Sequence, residues 1–173
     1  RLKEGGNSPY LEVKTELPAG EDSSGMKKIN YDFTNRTLPL DFQTLRIPLE
    51  EDTISLSERP GYLRLKGKES LSSLYYQALV ARRQKSFCFK AETCVEFEPE
   101  SYKHMAGLVC FYNTKNYHYL YISRNKSGKC IGIISCDEGK TDVGQIDQIK
   151  INGWKKCYLK VEIKDEILNF FYS

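Results

Sequence analysis

Residues 87–98 read FCFKAETCVEFE, and apolar and polar side chains alternate along the whole run. A period of two is typical of a β-strand with one buried face and one solvated face. We expect this strand to end near Pro99, because proline cannot donate a hydrogen bond to a neighbouring strand. The predicted inner face carries Phe87, Phe89, Ala91, Thr93, Val95 and Phe97, and the predicted outer face carries Cys88, Lys90, Glu92, Cys94, Glu96 and Glu98.

Shorter runs with the same period follow one another along the chain, each bounded by turn residues. No segment places apolar residues at i, i+3, i+4 and i+7 over three turns, so helix is expected to be nearly absent. Many short strands without helical crossovers predict antiparallel sheets that pack face to face. The sequence therefore predicts an all-β fold, an antiparallel β-sandwich. The predicted strands cover residues 62–67, 75–83, 106–113, 117–124, 130–135, 155–163 and 167–173, with a hairpin turn at 127–129.

The first 30 residues differ in composition from the rest of the chain. They are rich in Gly, Ser, Pro and charged residues, and only YLEV at 10–13 has the composition of a short strand. We predict an interdomain linker or docking segment over residues 1–30 and a β-sandwich domain over residues 31–173. The sequence stops at Ser173 inside a strand-like run, which would leave an open sheet edge. We therefore expect the domain to be incomplete at its C-terminus.

Charge and hydropathy argue against two classes of partner. The 26 Lys and Arg residues are interspersed with 23 Asp and Glu residues, and the densest basic cluster, ARRQK at 81–85, is short. A nucleic-acid interface normally needs a larger basic face. No apolar run approaches the ~20 residues of a transmembrane helix. We expect neither a nucleic acid nor a membrane as partner.

The six cysteines form no CxxC pair, and neither His104 nor His118 stands at zinc-ligand spacing from them. No metal site is therefore predicted. Most of the cysteines lie in apolar runs, where cysteine behaves as a small hydrophobe, so we predict free thiols and a cytoplasmic location. The sequence contains no GxSxG, GxGxxG or GxxxxGK[ST] motif. Neither a catalytic nucleophile nor a phosphate-bearing cofactor is predicted.

Four glutamates stand close together at positions 92, 96, 98 and 100. Residues two apart on a strand lie ~7 Å from each other on one face, which would bring two carboxyl groups to a glycosidase-like separation. A general acid, however, needs an apolar wall that raises its pKa, and no aromatic residue shares this strand face. We therefore predict a solvent-facing row and assign no catalytic residue.

A second candidate is NYHYLYIS at 116–123, which places Tyr117, Tyr119 and Tyr121 on one strand face. Tyrosine rings can stack on sugar rings while their hydroxyl groups bind sugar hydroxyls, so these three residues are candidate carbohydrate contacts. They could equally cover a half-buried sheet surface, since tyrosine is a favoured strand residue. The only tryptophan, Trp154, is predicted to fill the core or to anchor a neighbouring domain.

Several stretches resemble the C-terminal domain of bacterial β-xylosidases of glycoside hydrolase family 43. The resemblance is carried by LDFQTLRIPL (40–49), RPGYLRLKGKESLSS (59–73) and ALVARRQ (78–84). It continues through residues 89–123 and, more weakly, through 155–173. The segment SPYLEV (8–13) resembles the stretch that leaves the catalytic propeller in that family.

The resemblance implies a concanavalin A-like β-sandwich that packs against an N-terminal β-propeller catalytic domain of the same protein. That propeller would carry the catalytic carboxylates and hydrolyse xylo-oligosaccharides in xylan degradation, while the sandwich would help to close the substrate pocket. This chain would be an accessory domain that is not catalytic by itself. The resemblance leaves open whether the parent enzyme is a xylosidase or an arabinofuranosidase, and whether it forms oligomers.

Two other functions are compatible with the same fold. A free-standing, lectin-like carbohydrate-binding module would use the tyrosine face. A laminin-G-like protein-interaction domain would be secreted and disulfide-bonded.

Overall fold

The computed structural model describes residues 28–142 and 148–173, and these residues form strands and loops without a helix. The predicted linker over residues 1–30 therefore lies outside the described residues except for its last three positions. No helix in the described ranges could span a membrane. The strands are β1 (Phe42–Thr44), β2 (Ile54–Ser55), β3 (Arg64–Leu65), β4 (Val80–Arg82), β5 (Cys88–Val95), β6 (Ala106–Asn113), β7 (Asn116–Asn125), β8 (Gly128–Asp137), β9 (Lys140–Asp142), β10 (Ile149–Lys150), β11 (Cys157–Lys164) and β12 (Ile167–Tyr172).

Two antiparallel sheets make up most of the structure. The larger sheet has the order β10-β8-β7-β6, with β9 paired to β8, and the smaller has the order β12-β11-β5. Two short ribbons, β1-β4 and β2-β3, add to them. All of these pairings are antiparallel, as the sequence predicts. Residues 31–173 group into one compact unit.

The hydrophobic core lies between the two sheets, which confirms the predicted β-sandwich. The larger sheet contributes Leu120, Ile122 and Ile131, and the smaller sheet contributes Cys157 and Leu159. All five residues are buried, and each is at most 2% exposed. Apolar side chains that meet in this way between two sheets supply most of the driving force for such a fold.

Strand β5 confirms the predicted alternation along most of its length, because its odd-numbered residues are half-buried and its even-numbered residues are exposed. The strand ends at Val95 rather than near Pro99, since its last partner is Cys157, the first residue of β11. The prediction for Phe87 was wrong: it precedes the strand and is exposed. The pairing of β5 with β11 stops at Cys88 and Lys164, and among the described residues the Phe87 carbonyl makes only one further hydrogen bond, which it accepts from the backbone of Asp165 in the turn between β11 and β12.

The long hairpins agree with the sequence, whereas two other predicted strands are much shorter in the structure. Strands β6, β7, β8, β11 and β12 fall within two residues of their predicted bounds. The hairpin between β7 and β8 turns at residues 126–127, and Gly128 takes a φ of 116°, which favours glycine. The predicted strand 62–67 reduces to β3, and the predicted strand 75–83 reduces to β4.

Candidate functional site

The outer face of the smaller sheet is a ladder of alternating charges. Glu92 of β5 stands opposite Lys160 of β11, and Lys90 stands opposite Glu162. The Lys90 and Lys160 ammonium groups lie 3.1 and 2.6 Å from the same Glu162 carboxylate oxygen. Side chains directly opposite each other in an antiparallel pair are close enough to interact. Glu92 therefore belongs to a solvated, charge-balanced surface, as the sequence predicts.

Glu96 is held by basic and aromatic side chains from distant parts of the chain. Its carboxylate accepts hydrogen bonds from Arg59 Nη1 at 2.7 Å and from the Tyr62 hydroxyl at 3.1 Å. The Lys156 ammonium lies 3.5 Å away, and the Arg59 guanidinium stacks 3.6 Å above the Tyr62 ring. Glu96, the residue directly after β5, therefore joins the loop before β3 to the loop before β11 through its carboxylate.

These contacts decide what Glu96 can do chemically. The hydrogen bond from Arg59, with further support from Tyr62 and Lys156, lowers the pKa of Glu96 to about 2. A general acid of a glycosidase needs a raised pKa, so that it holds a proton near neutral pH. Glu96 has the opposite property, and the geometry makes it the counter-ion of Arg59.

Glu98 forms an ion pair with a different residue, Lys129. Its Oε1 lies 2.8 Å from the Lys129 ammonium, which is almost completely buried and also donates a hydrogen bond to the Trp154 carbonyl at 2.6 Å. Glu100, beyond Pro99, lies in the connection between β5 and β6. The glutamates of 92–100 are thus dispersed among separate partners rather than converging on one site.

The three candidate carbohydrate contacts lie together on the face of the larger sheet that points away from the smaller one. In strand register, Tyr121 stands between Gly107 and Gly132, two residues without side chains. Tyr121 is 1% exposed, and its hydroxyl accepts a hydrogen bond from the Gln148 side-chain amide at 3.0 Å. The sequence did not show this arrangement, because it depends on which residues stand opposite each other in three strands.

Tyr117 and Tyr121 are buried, so the three tyrosines do not form an open platform. Tyr117 is buried and stacks on Phe111, and burial raises the pKa of Tyr119, whose ring lies 5.8 Å from that of Tyr121. Leu71 packs against this cluster from the loop before β4. Of the three tyrosines, Tyr119 keeps an intermediate exposure. A carbohydrate-contact role for Tyr117, Tyr119 and Tyr121 stays a prediction.

The histidines and cysteines occupy ordinary structural positions. His118 Nδ1 lies 2.9 Å from Ser135 Oγ, and His104 Nδ1 accepts a hydrogen bond from the backbone of Glu100. All six cysteines are free, which confirms the predicted thiols. Burial raises the pKa of Cys110, Cys130 and Cys157, which makes these thiols less reactive. Within residues 28–142 and 148–173, no group of three or more His, Cys, Asp or Glu residues could hold a metal ion.

Sequence reasoning missed an ordered loop at residues 69–77. Gln77, 1% exposed, donates hydrogen bonds from its amide nitrogen to the carbonyls of Ser70, Leu71 and Ser73, at 3.2, 2.5 and 2.8 Å. The Glu69 carboxylate accepts from the Ser73 hydroxyl and from the backbone of Tyr76. A buried amide that satisfies three carbonyls fixes the loop conformation.

This loop exposes Leu74, Tyr75 and Tyr76 at its tip. The sequence predicted a strand over residues 75–83, since aromatic and β-branched residues favour strands. In the structure the strand begins only at Val80, because the residues before it belong to the loop that Gln77 holds together. Leu74, Tyr75 and Tyr76 are three consecutive large apolar residues next to serines, and this pattern could have indicated the exposed tip. The prediction instead assigned the two tyrosines to a strand.

A second exposed apolar region lies on the segment before β2. It is an open depression of about 490 Å³. Leu40 and Leu49 are exposed at its surface, and Phe42 of β1 is half-buried. Apolar side chains that remain exposed on a folded unit often mark contact surfaces. The depression is lined by Leu38, Pro39, Leu40, Phe42, Gln43, Thr44 and Leu49.

Trp154 is partly exposed rather than fully buried in the core. Its ring lies 6.4 Å from that of Tyr172, near the end of the edge strand β12. Its carbonyl binds Lys129, so the backbone of the loop before β11 is fixed.

Known proteins share this domain over nearly its whole length. Residues 30–173 match the β-xylosidase C-terminal concanavalin A-like domain. A β-xylosidase of Bacillus subtilis is 41% identical over 144 residues, which is 82% of this chain and 27% of that protein. Xylosidase/arabinosidase 43B of Humicola insolens is 34% identical over 173 residues, which is 96% of this chain and 32% of that protein.

Solved structures agree with these matches. The crystal structure of a xylan β-1,4-xylosidase from Bacillus halodurans C-125 superposes with a TM-score of 0.82 and 40% identity. The superposition covers 98% of this chain and 32% of that one. This chain therefore spans between a quarter and a third of the length of each of these three relatives. The chain belongs to the family of C-terminal concanavalin A-like domains of β-xylosidases.

Proposed function

We propose that this chain is the accessory β-sandwich domain of a β-xylosidase. In this proposal it packs on a catalytic β-propeller that precedes it in the same polypeptide and helps to shape the pocket for xylo-oligosaccharides. The sandwich itself supplies no catalytic group. Its contribution is steric, since a wall beside the pocket favours short oligosaccharides over polymer.

The observation that carries this proposal is the extent of the family match. The match takes in residues 30–173, whereas the chain accounts for only 27% of the Bacillus subtilis relative. A domain that forms the C-terminal part of larger enzymes needs no complete active site of its own.

The carboxylates of this chain support the same conclusion. Glu96 and Glu98, which stand two apart in the predicted strand 87–98, are bound to Arg59 and Lys129 respectively. An inverting or retaining glycosidase needs one carboxyl group with a raised pKa and a second that acts on the sugar or on water. The low pKa of Glu96 removes it from the first role.

Hydrolysis of an aryl β-xyloside tests the proposal. We expect no turnover by this chain alone, and turnover by the longer enzyme that carries the propeller. Glu96→Gln in that enzyme should leave kcat unchanged, because Glu96 only pairs with Arg59 at the surface of the sandwich. Turnover by this chain alone that disappears in Glu96→Gln would overturn the proposal.

We propose in addition that the enzyme works in the cytoplasm. The six free cysteines support this location, because thiols persist in a reducing compartment. Recovery of the enzyme in the soluble cell fraction, with the six cysteines of this chain as free thiols, is the expected result. Recovery of a disulfide-bonded form from the medium would contradict it.

A further inference from the structure

The loop 69–77 and the segment 38–49 lie side by side in the fold. Strand β1, within the segment, pairs with β4, which follows the loop. The Arg46 guanidinium also reaches across and donates a hydrogen bond to the Ser73 carbonyl at 3.0 Å. Backbone pairing and a side-chain contact therefore hold the two exposed apolar regions next to each other.

The loop tip carries three consecutive large side chains in solvent. Leu74 is 64% exposed, Tyr75 is 73% exposed and Tyr76 is 58% exposed. An aromatic side chain can bury roughly 150–250 Å² and dominates the energetics of many interfaces. Leaving the large side chains of Leu74, Tyr75 and Tyr76 in water is costly unless a partner covers them.

The loop is held by hydrogen bonds of its own. The Gln77 amide binds three loop carbonyls, and the Glu69 carboxylate binds the backbone of Tyr76. A surface that is already fixed loses little conformational entropy on binding, which favours association. Such preorganisation suits a permanent contact.

The route of the polypeptide indicates which partner lies nearby. Tyr31, the first residue of the compact unit, packs edge-on against Phe42, with 4.8 Å between ring centroids, and donates a hydrogen bond to Asp41 at 2.6 Å. Phe42 also lines the apolar depression. Any polypeptide that precedes residue 31 therefore joins the unit beside this depression.

In this family the matched domain is C-terminal, and it makes up about a quarter of the Bacillus subtilis relative. Most of such an enzyme thus precedes the domain in sequence, and the polypeptide enters the unit close to the two apolar regions. Attachment at this point gives the preceding part a high effective concentration at these regions, so weak contacts suffice for docking.

We propose that Leu38, Leu40 and Leu49, together with Leu74, Tyr75 and Tyr76, form the docking face for the catalytic part of the same polypeptide. The inference rests on the proposed function and adds the face through which the sandwich acts. Two other exposed apolar residues, Ile167 and Phe171, lie on β12 of the smaller sheet. We leave them out of the docking face because the chain enters the unit beside β1.

The test uses the enzyme that contains both the catalytic part and this chain. The variant Leu74→Asp/Tyr75→Asp places two charges on the docking face, and Tyr112→Asp is the matched control because Tyr112 is 85% exposed and lies on β6. Hydrogen exchange of residues 69–77 and thermal unfolding are measured for each protein. Sedimentation velocity reports the oligomeric state.

For the wild-type enzyme we expect one cooperative thermal transition and protection of residues 69–77. In the double variant the transition should separate into two, and the amides of 69–77 should exchange at least ~10-fold faster. The control should resemble the wild type. If the double variant fails to express, Leu74→Ser and Tyr75→Ser impose milder changes with the same expected direction.

The outcomes separate this inference from the proposed function. Two independent transitions in the wild-type enzyme would overturn the packing of sandwich on propeller itself. One transition in the wild type that persists in the double variant, with unchanged protection, would overturn only the choice of face. A loss of dimer in the double variant with a single transition retained would assign the face to a second copy, against the proposal.

Discussion

The Lys129 ammonium lies 2.8 Å from Oε1 of Glu98, although the Lys129 side chain is 6% exposed and that of Glu98 is 73% exposed. The same ammonium donates to the Trp154 carbonyl at 2.6 Å. A single buried cation from β8 therefore holds the residues after β5 and the loop before β11. A buried charge is tolerated only where it is paired and hydrogen-bonded, and both conditions are met here.

Replacing this cation should weaken the fold. Lys129→Met keeps most of the apolar volume but leaves the Trp154 carbonyl without its donor, so we expect the free energy of unfolding to fall by about 1–3 kcal/mol. Urea denaturation of this chain measures the change. Lys126→Met, in the exposed turn between β7 and β8, should stay within about 0.5 kcal/mol of the wild type. Equal losses in the two variants would contradict the role of Lys129.

Glu96 should contribute to the acid sensitivity of the fold. Its pKa is about 2 in the folded chain and 4.5 in an unperturbed side chain. A carboxyl group with a lowered folded-state pKa stabilises the fold above its unfolded pKa, and this contribution disappears as the pH falls through the folded value. We expect the unfolding free energy of Glu96→Gln to change less than that of the wild type between about pH 5 and pH 2.

The matched control for this pH series is Glu92→Gln, which removes a carboxylate from the outer sheet face but leaves the Arg59 contact in place. It should retain most of the wild-type pH dependence. Parallel curves for wild type and Glu96→Gln would refute the stabilising role of the ion pair.

The sandwich could be predicted from sequence because its evidence is local. Alternation in 87–98 and the turn residues between later runs depend on neighbours within a few positions, and they placed β5, β6, β7, β8, β11 and β12 well. The exposed Phe87 shows the limit of this reasoning. Where a strand ends depends on its partner, and the partner of β5 is β11, 60 or more residues away along the chain.

The surroundings of the candidate residues could not be predicted in the same way. Arg59 reaches Glu96 from 37 residues away, so its effect on the pKa needs the fold. Tyr121 is buried because glycines stand opposite it in both neighbouring strands, a fact of register. Tyr75 suits a strand by composition, yet the Gln77 amide keeps it in a loop.

Gly132 should not tolerate a methyl group. The Tyr121 ring lies across it, and a Cβ atom at Gly132 would stand 2.7 Å from Cζ of that ring. Gly132→Ala should lower the free energy of unfolding by about 1–3 kcal/mol through overpacking, as measured in urea. Gly67→Ala is the control, because nothing lies within 4 Å of its added Cβ. If both substitutions are neutral, the close packing of Tyr121 on Gly132 is wrong.

The buried amide of Gln77 should be essential for the loop 69–77. Gln77→Leu fills a similar volume but removes the donor shared by the carbonyls of Ser70, Leu71 and Ser73. The Ser70 and Ser73 carbonyls keep donors in the Ser73 backbone and in Arg46, so the Leu71 carbonyl is the one that loses its donor. We therefore expect a loss of about 1 kcal/mol in unfolding free energy and faster hydrogen exchange across the loop. The control is Gln84→Leu, whose exposed amide makes a single bond to Ser86. Unchanged exchange in Gln77→Leu would show that other contacts order the loop. The Gln77 amide would then not preorganise the docking face.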